Sequence, residues 1–131
     1  MKKINIACII EDDPIFVFGT KRIMQLSNFS ESIVVYENGK EAYEKLRATI
    51  LANEPQPDVI FLDLNMPIWD GWQFLDEFTK IPNNTSTTIY IITSSVDPAD
   101  VEKAKKYNVV KRYIVKPITN TELQKILENY N

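Results

Sequence analysis

The stretch Ile4-Asn5-Ile6-Ala7-Cys8-Ile9-Ile10-Glu11-Asp12-Asp13 reads as a strand that stops abruptly at acid. Its apolar part carries almost no polar face, which marks a strand covered on both sides inside a parallel sheet. The same pattern recurs downstream. Residues 59–62 run into Asp63, residues 89–92 run into Thr93, and residues 113–115 run into Lys116-Pro117. In an open parallel sheet, strand ends on one edge converge on one crevice, where ligands bind. Carboxylates, a hydroxyl and an ammonium gathered there have little structural use. They suit a divalent cation and a phosphoryl group.

Helical patterns fill the gaps between the apolar runs, the signature of βαβ units. Pro14 opens a first helix to about Leu26, where its missing N–H is harmless. Its apolar positions are Ile15, Phe18, Ile23, Met24 and Leu26. Residues 32–36 form a second strand. Asn38-Gly39 then turns into a helix over about 40–51, with Ala42, Leu46 and Ile50 facing inward. Two prolines make 52–57 a loop. Met66-Pro67 and Asp70-Gly71 frame a loop before a third helix over about 72–79. A polar loop follows over 82–87, and then a strand over 88–92. Asp97 is expected to cap a fourth helix with Pro98 in its first turn. Residues 111–115 are the fifth strand. Thr119, with Glu122 three residues later, forms a capping box on a last helix to Tyr130. Five strands and five helices in strict alternation predict a three-layer α/β sandwich with the first strand central, in one domain spanning 1–131.

Composition narrows the function. The net charge of −3 leaves no excess of cations to neutralise a nucleic-acid backbone. Lys103, Lys105 and Lys106 are the only basic cluster, and on a helix they read as a solvated face. There is no histidine, which removes histidine-based acid–base catalysis and histidine-ligated zinc. The one cysteine, Cys8, lies inside the first apolar run and reads as a small buried hydrophobe. No apolar run reaches the length of a membrane span, and no signal peptide is visible, so a cytoplasmic location is expected.

Each candidate site residue has a plainer use when taken alone. Asp12 or Asp13 could cap the first helix, Thr93 is an ordinary β-branched strand residue, and Tyr113 is a half-buried strand aromatic. Together they point to chemistry. Close carboxylates repel one another, which raises a pKa or recruits a cation. A hard, oxygen-ligated ion fits, Mg²⁺ or Mn²⁺, held by carboxylates, waters and a substrate phosphate. The residue before a proline is pushed toward extended geometry, so Lys116 ends its strand and can address the crevice.

With these residues in order, the chain resembles the receiver domain of two-component response regulators, and more narrowly a stand-alone, chemotaxis-regulator-like receiver. The resemblance covers the whole chain. Asp63-Leu64-Asn65-Met66-Pro67-Ile68-Trp69-Asp70-Gly71 matches the family pattern D-x-x-M-P-x-x-D-G. It implies the doubly wound, flavodoxin-like sheet with strand order 2-1-3-4-5. It also implies Asp63 as phosphoacceptor, Thr93 and Lys116 holding phosphoryl oxygens, and Tyr113 as the aromatic that moves with Thr93. Mg²⁺ would be held by the side chains of Asp13 and Asp63, by the backbone carbonyl of Asn65, and by Asp12 through water. Asn65 and Ser95 would tune the lifetime of the acyl phosphate.

The implied partners are a sensor histidine kinase or histidine phosphotransfer protein, met near Phe16 and Thr20 on the first helix. A downstream protein target would be met on the surface from about Asp97 to Tyr130, with Lys103, Lys106, Lys111 and Arg112 as contacts. Nothing that binds DNA follows the last helix, so a stand-alone receiver is expected, as a monomer or a phosphorylation-dependent dimer, with no nucleic-acid partner and no membrane insertion. Two departures from the family are visible. Residues 47–57 lengthen the second helix and its loop, and Asn108 stands where a glycine is common, so it is expected to take the left-handed turn.

Other classes fit less well. A phosphatase of the haloacid dehalogenase kind needs a second Asp two residues after its nucleophile, where Asn65 stands. A flavodoxin-type site needs a Gly/Ser/Thr-rich loop after the first strand, and here that loop is acidic. A protein-binding receiver that signals without phosphate stays open as a third reading, with the intact site residues weighing against it.

Overall fold

The computed structural model describes residues 4–82 and 86–130, so residues 83–85 of the expected 82–87 loop lie outside the described residues. Ten elements alternate along the chain: β1 (Ile6–Ile10), α1 (Pro14–Leu26), β2 (Ser32–Tyr36), α2 (Gly39–Leu51), β3 (Val59–Leu62), α3 (Gly71–Phe78), β4 (Thr88–Thr93), α4 (Pro98–Ala104), β5 (Val110–Val115) and α5 (Asn120–Glu128). All strand pairs are parallel, in the order β2-β1-β3-β4-β5. The order reverses between β1 and β3, so the crevice of this sheet opens where Ile10 and Leu62 end, side by side in register.

Side-chain alternation divides the core into two layers. Cys8, Ile10, Ile60, Leu62, Ile89 and Ile91 face α2, α3 and α4, where they meet Ala42, Leu46, Phe74, Phe78 and Ala104. Ala7, Ile9, Val59, Phe61, Tyr90 and Ile92 face the other way, with Met24, Phe29, Leu123 and Ile126. Burying both faces is what makes these strands almost wholly apolar. α4 is held least: Ala104 is its one buried residue. Its far end is tied to α3 instead. The Tyr107 hydroxyl donates to Asp76 at 2.6 Å, the Tyr107 ring stacks on Trp72, and the Lys103 ammonium lies 4.7 Å from the Trp72 ring centre.

Local chemistry sets the helix starts. Asn38, Asp70, Asp97 and Thr119 each occupy the cap and accept a backbone N–H from the first turn. Gly71 is required by close approach: a Cβ there would lie 2.6 Å from the Asp63 carbonyl oxygen. Its N–H donates to Leu64 O at 2.9 Å, so α3 begins flush against the backbone of the Asp63 loop.

Three expectations are corrected. Asn108 is not left-handed; the non-glycine residues with positive φ among those described are Asn28, Asn53 and Ile68. In α1, Ile15, Phe18 and Leu26 are exposed, while Thr20 is buried with Met24. The helix therefore packs through a narrower face than its apolar content suggests, and Thr20 offers no surface to a partner.

Candidate functional site

Alternation beyond the strand ends decides which side chains meet. Ala7 and Ile9 face the α1 and α5 layer, so two residues further on Glu11 points the same way. Val59 and Phe61 put Asp63 there, and Ile114 puts Lys116 there. The three close on one another: the Lys116 Nζ lies 2.7 Å from Glu11 Oε1 and 3.8 Å from Asp63 Oδ1. Carboxylate oxygens of Glu11, Asp12 and Asp63 lie within 4.8 Å of one another. Glu11 and Asp63 are buried, whereas Asp12 is exposed at the mouth.

The acids are strained electrostatically. Burial pushes the Glu11 carboxyl up to about 7; the neighbouring Asp63 charge adds to the rise, and Lys116 works against it. Asp63 is raised too, by burial foremost, with Lys116, Glu11 and the N–H groups of Asn65 and Leu64 pulling it down. Two buried carboxylates share one ammonium, which leaves negative charge without a full counterpart. The donor set is all oxygen, hard, and open to water on the Asp12 side. It fits a small divalent cation such as Mg²⁺, which keeps several waters.

Asp13, expected as a ligand, does other work. It is the N-cap of α1: its Oδ1 accepts the N–H of Ile15 at 3.0 Å and of Phe16 at 3.4 Å. It is absent from the acidic group. The acid pair at the crevice is Glu11 and Asp12, one residue earlier than expected. The signal that finds Glu11 is the two-residue period running back through Ile9 and Ala7. Pro14 is the second signal, because a proline in the first turn makes the residue before it the cap.

Thr93 ends β4 with no exposed surface, and its Oγ1 accepts the N–H of Ser95 at 3.2 Å. Its carbonyl accepts the N–H of Lys116 at 2.8 Å, which ties the ends of β4 and β5 together. The Tyr113 hydroxyl donates to the Ser95 carbonyl at 3.0 Å, and the Ser95 hydroxyl donates to Asp100 at 2.6 Å. One loop thus joins the Thr93 end of the sheet to α4 and to Tyr113. Asn65 is exposed, two residues beyond Asp63. The peptide bond from Lys116 to Pro117 is cis. Cys8 is fully buried in the core, as expected.

Comparison with known proteins agrees with this geometry. The response regulator receiver domain family matches residues 7–128. A probable C4-dicarboxylate response regulator, DctR of Priestia megaterium, is 28% identical over 129 residues, which is 98% of this chain and 53% of that protein. PilH of Pseudomonas aeruginosa is 24% identical, and the match covers 91% of each chain. The crystal structure of a two-component response regulator from Cytophaga hutchinsonii superposes with a TM-score of 0.87 at 30% identity, covering 97% of this chain and 96% of that one. The chain thus spans about half the length of DctR and most of PilH. Among the described residues, no helix is long and apolar enough to cross a membrane.

Proposed function

The chain belongs to the response regulator receiver family, and we propose that it accepts a phosphoryl group on Asp63 from a sensor histidine kinase or a histidine phosphotransfer protein in the cytoplasm. Receivers are signalling switches of two-component systems that bind Mg²⁺ at an acidic pocket. The observation that carries the reading is the half-buried ammonium of Lys116, set between Glu11 and Asp63 at the reversal point of the sheet.

In the transfer, an Asp63 oxygen forms a bond to phosphorus as the phosphorus–nitrogen bond of the phosphohistidine breaks. The imidazole leaves with a proton taken from solvent. Later, water attacks phosphorus, phosphate departs, and the carboxylate is restored. A carboxylate approaching a phosphoryl dianion is opposed by charge, so the chemistry is mostly positioning and charge stabilisation. Glu11, Asp12 and Asp63, with the backbone carbonyl of Asn65, would hold Mg²⁺ or Mn²⁺. When bound, that ion offsets the repulsion between carboxylate and phosphoryl group. Lys116 would leave its carboxylate partners for a phosphoryl oxygen, and the Thr93 hydroxyl would give up its bond from Ser95 to donate to another. Asn65 and Ser95 would tune the rate of that hydrolysis.

Thr93, Ser95 and Tyr113 carry the signal outward. Moving the Thr93 hydroxyl pulls on the loop that holds the Tyr113 hydroxyl and reaches α4 through Asp100. Because Ala104 is the one buried residue of α4, that helix is the element that yields. The output surface is α4, β5 and α5, with Lys103, Lys106, Lys111 and Arg112 as protein contacts. The donor would dock on the exposed apolar positions of α1, Ile15 and Phe18, in place of Thr20.

Intact mass and tryptophan fluorescence with a small acyl-phosphate donor test the reading. One phosphoryl increment that needs Mg²⁺ and is lost in Asp63→Asn supports it. Trp72, between Tyr107 and Lys103, reports movement of α4. Incorporation that survives Asp63→Asn would refute it.

A further inference from the structure

We propose that Phe16 is a positioning residue for Lys116, an inference that rests on the phosphoacceptor reading of Asp63. The Lys116 Nζ lies 4.4 Å from the centre of the Phe16 ring, within the range at which an ammonium is attracted to an aromatic face. The ammonium is thus bounded by Glu11 at 2.7 Å, Asp63 at 3.8 Å and the ring. Lysine needs such confinement: its charge sits on a flexible four-carbon stem, unlike the rigid fork of arginine. Carboxylates alone would let the ammonium slide toward whichever acid binds it more tightly. The ring is indifferent to that choice and only keeps the charge at the crevice.

The sequence builds this contact deliberately. Phe16 lies in the first turn of α1, and its own N–H is one of the two donors that Asp13 caps. Pro14 presets the backbone of that turn. The acid that takes no part in the acidic group therefore fixes the ring that steers the lysine. Phe16 is half-buried, and the Lys116 side chain keeps 20% of its surface exposed. The ring also screens the ammonium from water on one side, which strengthens its pull on an oxyanion in the crevice. A leucine at position 16 would fill similar space but has no ring face to offer.

The test has two arms. In the first, proton NMR of the unphosphorylated protein reads the methylene protons next to Nζ of Lys116. A ring current should move them upfield in wild type and in Phe16→Tyr, and the shift should vanish in Phe16→Leu. In the second, the initial rate of labelling by a small acyl phosphate with Mg²⁺ should fall about threefold to fivefold in Phe16→Leu. It should recover in Phe16→Tyr, and Phe16→Leu should have no further effect in a Lys116→Met background. No upfield shift in wild type would overturn the proposal. So would an equal loss from Phe16→Leu with and without Lys116, since the ring would then act through something else. If wild type takes no phosphoryl group at all, the phosphoacceptor reading falls, and the NMR arm alone still decides whether Phe16 orients Lys116.

Discussion

Replacing Gly71 by alanine should destabilise the protein and distort the site through backbone contact alone. A Cβ at position 71 would lie 2.6 Å from the Asp63 carbonyl oxygen, 2.9 Å from Leu64 Cα and 3.0 Å from Leu64 Cδ2. The first is about 0.8 Å short of the 3.4 Å at which ordinary contact begins. Two of the three atoms are backbone, so no rotamer change relieves them. Overpacking of this kind costs about 1–3 kcal/mol. Loosening the 2.9 Å bond from Gly71 N–H to Leu64 O adds about 1 kcal/mol. The better helix preference of alanine returns up to about 1 kcal/mol. The net loss is about 2 kcal/mol, or about 7 °C in Tm for a chain of this size. Urea denaturation followed by tryptophan fluorescence measures it, since Trp69 and Trp72 flank the position. Gly19→Ala is the matched control: nothing lies within 4 Å of its Cβ, and it sits exposed in α1. It should stabilise by about 0.5–1 kcal/mol. Because the clash falls on the carbonyl of Asp63, labelling of Gly71→Ala should also slow under conditions where it is folded. A Gly71→Ala protein as stable as wild type would refute the reasoning.

Asp13→Ala should cost about 1 kcal/mol as a lost helix cap while Mg²⁺ affinity, read by tryptophan fluorescence, stays within about threefold of wild type. Asp12→Asn and Glu11→Gln should each weaken Mg²⁺ more than tenfold, and the opposite ranking would restore Asp13 as the ligand. Ile68→Gly should stabilise by about 1 kcal/mol, because a β-branched residue is held at φ 70° and is 72% exposed; calorimetry showing a lower Tm would contradict this. Cys8 should resist a thiol-specific reagent in the native protein and react fully in urea, since the side chain has no exposed surface and burial drives its pKa far up.

The order of elements was legible because the three central strands are apolar on two faces and each helix announces its start. Asp97-Pro98, Asn38-Gly39 and Thr119 are local devices, settled within a few residues, and the structure uses each as a helix cap at the expected place, although the Glu122 carboxylate of the expected capping box pairs with Arg112 at 3.1 Å instead. What was not legible depends on direction. Three consecutive acids after β1 look equivalent as letters, yet one faces the crevice floor, one its mouth, and one turns back to cap α1. Counting alternate residues from Ala7 would have separated them, because the strand's period continues one step past its last ladder residue. The apolar surface of α1 failed for a related reason. Hydrophobicity cannot tell which stripe of a helix faces the sheet, and here Thr20 goes inward while Ile15 and Phe18 stay out, beside the crevice. Ile68 defies its own backbone preference in the loop between Asp63 and Gly71. On either side Met66 is buried, Trp69 packs against Tyr43 at 5.1 Å, and Asp70 caps α3. Those three anchors impose the left-handed turn on whatever residue stands between them. Of the residues that break the simple rules, Ile68 and Phe18 lie beside the crevice, whereas Leu26 ends α1 away from it. A rim selected for what it meets, rather than for burial, is expected to keep exposed apolar side chains and strained backbone that a core would discard.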